Sequence, residues 1–129
     1  MSKKISIRGN LCCQSEIDRD NDAYDECIDG VYELYAQEMQ FAYDYYQARL
    51  DIIKQETERL LQNCKNDFNP EIRLLCEKKV GLAASIHKAA ELALFRTAQL
   101  AATIAAQVGI QDCKGRFKCA ETSRLRYWE

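Results

Sequence analysis

Apolar or small side chains recur at Tyr24, Ile28, Val31, Tyr35, Met39, Ala42, Tyr46, Leu50, Ile53, Thr57, Leu60 and Cys64. Every step is three or four residues, which keeps one face of a single helix apolar for about eleven turns. The pattern predicts a first long helix over 14–64 with an acidic start. Gly30 is its one weak point, costing about 1 kcal/mol relative to alanine. Turn-forming residues at 63–69 then break the periodicity. Asn69, Pro70 and Glu71 restart it as N-cap, first helical residue and dipole-complementing acid.

A second, Ala-rich tract follows over 70–109, with Gly109 placed as its C-cap. Alanine is the strongest helix former, and its short side chain lets a neighbouring backbone approach. The stretch 97–108 is apolar on nearly every side, as in a helix with neighbours on more than one face. The remaining 110–129 reads as a basic C-terminal segment with a short helix over 120–127. The expectation is an all-α fold in one domain, an antiparallel hairpin of two long helices with short terminal helices packed at its open end.

Composition changes this picture at one point, the cysteines. The chain is 47% hydrophobic and 29% charged with a net charge of −2, which excludes a disordered polymer. Seven cysteines stand at 12, 13, 27, 64, 76, 113 and 119. Cys27 and Cys64 are 37 residues apart, and so are Cys76 and Cys113. Facing residues of an antiparallel pair share a constant sum of residue numbers. A sum of 140 sets Cys64 level with Cys76 and Cys27 level with Cys113. It also sets Tyr35 against Ala105, Tyr46 against Leu94, and Ile53 against Ile86 or His87, so that large residues mostly meet small ones.

The spacing thus predicts a disulfide-stapled hairpin with bridges Cys64–Cys76 and Cys27–Cys113, and a third from Cys119 to Cys12 or Cys13. A local Cys113–Cys119 bridge is the rival connectivity, and reduced, buried cysteines are the alternative to bridging altogether. Being odd in number, the cysteines leave one thiol over at the Cys12-Cys13 pair. The layout resembles an enlarged form of the stapled hairpins of mitochondrial intermembrane-space proteins, whose spacings are much shorter. Oxidised cysteines point to a periplasmic or extracellular location. Residues 1–10 hold Lys3, Lys4 and Arg8 but no apolar run of signal length, so a mature form is expected, its signal absent from this chain. The most apolar stretch, about 14 residues, is short of the roughly 20 that span a bilayer, so membrane insertion is not expected.

Candidate chemistry is sparse. Asp18, Asp20, Asp22, Glu26 and Asp29 occupy ligand positions of an EF-hand-like loop. Ala23 replaces its turn glycine and Asp29 its bidentate glutamate, so an acidic helix start is the preferred reading and no metal is assigned. Cys12-Cys13 and Cys113-x5-Cys119 do not match zinc spacing. His87 and Glu91 lie one turn apart and read as a solvated pair. No nucleophile motif or phosphate loop is present, so no enzyme activity and no cofactor is expected.

Charge is uneven. Residues 16–38 hold nine acids against Arg19, and 113–129 hold five bases against two acids. The basic tail, with Phe117, Tyr127 and Trp128, is expected to dock on the acidic helix start and not on nucleic acid. Six of the seven tyrosines fall between 24 and 46. Tyr24, Tyr35 and Tyr46 belong to the seam. Tyr32 and Tyr43 form a second stripe and Tyr45 points elsewhere, so these three are the candidate partner-binding residues, with cover for the terminal segments as the alternative for Tyr32 and Tyr43.

The functional expectation is a non-catalytic interaction protein of an oxidising compartment. Its forms would be an inhibitor or immunity protein, or an accessory subunit of a secretion or conjugation system. Its partner would be another protein, and dimerisation through the Ala-rich face would complete a four-helix bundle. The alternatives are a protein binding calcium or a thiophilic metal, and a cytosolic helical adaptor with reduced cysteines.

Overall fold

The computed structural model describes residues 12–120. Two helices make up the described chain, α1 (Gln14–Cys64) and α2 (Pro70–Arg116), and they pack as an antiparallel hairpin. Among the described residues there is no strand. The first helix keeps the bounds its periodicity implies, because no proline or turn cluster interrupts 14–64.

Local chemistry explains both helix starts. At α1, Cys13 is the N-cap: Ile17 N–H donates to its carbonyl at 3.0 Å, and its own N–H donates to Glu16 Oε1 at 3.2 Å. This is the reciprocal half of a capping box. At α2, Asn69 Oδ1 accepts from the N–H groups of Glu71 (2.9 Å) and Ile72 (3.4 Å). The connecting turn is tied down by Asn69 N–H on Asp67 Oδ1 and by the Arg73 guanidinium on the Asp67 carbonyl, at 3.0 and 3.1–3.2 Å.

The far end of α2 departs from expectation. Gly109 is not a C-cap; the helix continues to Arg116, and among the described residues no glycine has a positive φ. The reason is packing. A Cβ on Gly109 would come within 3.0 Å of Val31 Cγ2, so this glycine permits close approach of the helices. Carrying α2 onward buries Ile110 and Cys113. The basic segment expected at 110–129 is therefore helical over 110–116. Among the described residues no short helix accompanies the two long ones. The helix expected over 120–127 lies, beyond Ala120, outside the described residues.

Packing divides the chain into two compact units. The first comprises 12–38 and 101–120 of the described chain, and the second is Met39–Leu100. The first unit holds the buried cluster: Tyr24, Ile28, Ile110, Cys113 and Ala120, with Cys27, Val31, Tyr32 and Phe117 packed against it. In the second unit full burial is confined to a few positions, Ile53, Cys64 and Ala84. It is held instead by the ring of Tyr46 stacked on Phe95 (4.8 Å, 14°) and by an Arg49–Glu91 ion pair at 3.1 Å.

Candidate interaction surface

Three disulfides are present: Cys12–Cys119, Cys27–Cys113 and Cys64–Cys76, with Cα separations of 5.8, 5.9 and 5.6 Å. Cys13 is the free and exposed thiol. The division of labour between the adjacent cysteines follows from the helix start. Cys13 is committed by its backbone to capping α1, and its sulfur lies 3.2 Å from Ser15 Oγ. Cys12 precedes the helix and reaches Cys119, whose N–H donates to Asp20 Oδ2 at 3.1 Å. The beginning of the basic tail thus sits on the acidic helix start. Phe117 packs into the core cluster, and Arg116 pairs with Asp112 one turn earlier in α2. Arg124, Arg126, Tyr127 and Trp128 lie outside the described residues.

The acidic stretch 18–29 is continuous helix. Helical geometry sets 18, 22, 26 and 29 on one face but strings them along about 16 Å of the axis, with 20 on the opposite side, so the ligand loop that calcium coordination needs is not formed. Ligand atoms of Cys12, Glu16 and Cys119 lie within 4.8 Å of one another. The two sulfurs are bonded to each other, which leaves the Glu16 carboxylate as the sole metal-type ligand of that group. His87 is exposed, and its neighbour Glu91 is engaged by Arg49.

The three candidate tyrosines have different surroundings. Tyr32 is half-buried against the core cluster of the first unit. Tyr43 is 49% exposed and meets Phe95 edge-on at 6.3 Å, while Tyr45 is 55% exposed. The structure therefore does not bring Tyr32 and Tyr43 into one stripe of equal exposure.

Phe95 is the residue that sequence reasoning missed; the register sum set Tyr46 against Leu94. Side chains lean towards the helix N-terminus, so the spot level with position 94 is covered by the next residue along. Leu94 is left 60% exposed.

Leu94 is one of many. Exposed large apolar residues occur along both helices, among them Phe41 (73%), Ile52, Leu82, Ile86 and Leu100. No described helix is long and apolar enough to cross a membrane. No family model, curated protein or solved structure matches the chain.

Proposed function

We propose that the chain is a non-catalytic interaction protein of an oxidising compartment, exported to a periplasm or an extracellular space. The observation that carries this reading is the set of three disulfides on a helical pair whose apolar side chains remain largely outside. Disulfides persist where thiols are kept oxidised, and they supply order that so small a core does not. Rigid helices then present aromatic and aliphatic side chains at low entropic cost, which suits recognition of another protein. An inhibitor or immunity protein, or an accessory subunit of a secretion or conjugation system, has these requirements. Tyr43 and Tyr45 are the exposed members of the candidate surface, and self-association is part of the reading.

Two measurements test it. Alkylation of the unreduced, denatured protein from its native host should label one thiol of seven, at Cys13. Five or more labelled thiols would return the chain to the cytosolic, reduced reading. A partner retained by the wild type from the exported fraction of that host should bind at least tenfold more weakly to Tyr43→Ala or Tyr45→Ala. Undiminished binding by both variants removes these tyrosines as its surface.

A further inference from the structure

The second unit, Met39–Leu100, has two unlike sides. One groove between its helices is lined by Tyr46, Leu50 and Asp51 with Lys54, Glu58 and Lys88, and is largely charged. The other is bordered by Ile52 on α1 and by Ala83 on α2, with Arg49, Glu56 and His87 among its lining. Eleven residues return a helix to within about 20° of the starting direction. Phe41 therefore shares the direction of Ile52, and Leu94 shares that of Ala83. Tyr45 falls on the stripe of Phe41 and Ile52, and Ile86 and Ala90 fall beside Ala83 and Leu94.

On this side α1 presents large groups, Phe41, Tyr45 and Ile52, at 73%, 55% and 46% exposure. On the same side α2 presents exposed alanines, Ala83 and Ala90, alternating along the helix with the larger Ile86 and Leu94. The charged groups at this groove are already paired within the chain, Arg49 with Glu91 at 3.1 Å and Glu56 with Arg59 at 2.9 Å. A partner chosen by opposite charge finds little to recognise there, and a second copy meets no repulsion.

We propose that this side of the second unit docks a second copy of the chain. A two-fold axis parallel to the helices sets α1 of each copy over α2 of the other. The register of the bridged helices then sets Phe41 of one copy level with Ala98 of the other, Ile52 with Ala90 and Tyr45 with Leu94. Apolar groups meet on both halves at once, which is the self-complementarity an isologous contact requires. The same match already operates inside the first unit, where Tyr35 shares a groove with Ala102, Ala105 and Ala106.

The area fits. Five large side chains offering on the order of 100 Å² each, with the alanines between them, give roughly 600 Å² per copy. Two such faces reach about 1,200 Å², the lower bound for a specific, stable interface. A single patch of that size stands at the upper end for monomers. The proposal rests on the self-association included in the functional reading and assigns it to one face.

The test is sedimentation equilibrium of the oxidised protein with Cys13 alkylated, so that disulfide-linked dimers do not contribute. The wild type should have twice the chain mass at micromolar concentrations. Its melting temperature should rise with protein concentration. Ile52→Asp with Leu94→Asp should weaken dimerisation at least tenfold with helix content unchanged, and Lys54→Glu on the charged side should leave the dimer intact.

A wild type that stays monomeric at every concentration overturns the proposal while leaving recognition of a different protein standing. A dimer untouched by the double substitution overturns the face but not self-association. A monomer that binds vesicles containing anionic lipid, and loses that binding in the double variant, overturns it in favour of a lipid surface.

Discussion

At the scale of single residues, three glycines inside helices separate intrinsic propensity from packing. Nothing lies within 4 Å of a Cβ built on Gly30 or Gly81, whereas one on Gly109 meets Val31 Cγ2 at 3.0 Å and Cγ1 at 3.4 Å. Gly30→Ala and Gly81→Ala should each stabilise by about 0.5–1 kcal/mol, since only the helix preference changes. Gly109→Ala should be nearly neutral. Val31 is β-branched and held to one rotamer in a helix, so its crowding cancels the gain. Urea denaturation of Gly109→Ala in a Val31→Ala background should recover about 1 kcal/mol, a coupling that distinguishes contact from propensity. A Gly109→Ala variant as stabilising as Gly30→Ala would show that the close approach carries no cost. Gly30 as a weak point was legible from its place within an apolar period. Gly109 was not, because a glycine near the end of a tract reads as a cap, and only the facing valine reveals the other use.

At the scale of elements, the start of α2 was readable because capping chemistry is local. Asn, Pro and Glu act within four residues of one another, and the side-chain bonds from Asn69 to the N–H groups of Glu71 and Ile72 follow from that order. Replacing Asn69 with alanine should cost about 1 kcal/mol and lower the melting temperature by roughly 4 °C. Asp at the same position should retain most of the stability, as its oxygen accepts the same bonds. Equal losses in both variants would mean that Asn69 acts through something other than the cap. The end of α2 was opaque for a corresponding reason. Its extension to Arg116 depends on Ile110 and Cys113 finding Tyr24 and Ile28, which lie more than 80 residues earlier in the chain. The choice between Cys12 and Cys13 was likewise closed to spacing arguments, and it turns on which of the two caps α1.

At the scale of the molecule, the register was legible because two cysteine pairs and one turn constrain the same sum of residue numbers. The bridges close sequence separations of 12, 86 and 107 residues. If each acted alone, the entropy removed from the unfolded chain would grow with separation, from about 3 to nearly 5 kcal/mol. They are nested, however, and this changes the expectation. Once Cys27–Cys113 is closed, Cys12–Cys119 constrains only the difference between 107 and 86 residues, about 21. Likewise, with both other bridges closed, Cys27–Cys113 only divides a loop of about 95 residues into parts of about 21 and 74, which is equivalent to closing one of about 16. Removing any one bridge by paired alanine substitution should therefore cost a similar amount, about 3 kcal/mol of chain entropy. The Cys27–Cys113 pair should cost the most, because Cys113 is fully buried beside Tyr24 and Ile28, and its truncation leaves a cavity. Equilibrium urea unfolding of the three double variants checks this, read at one protein concentration so that any association is held constant. An order that follows sequence separation, with loss of Cys12–Cys119 the costliest, would mean that the bridges act independently. Near-equal losses at Cys12–Cys119 and Cys64–Cys76, with Cys27–Cys113 above both, would show that nesting and burial set the balance.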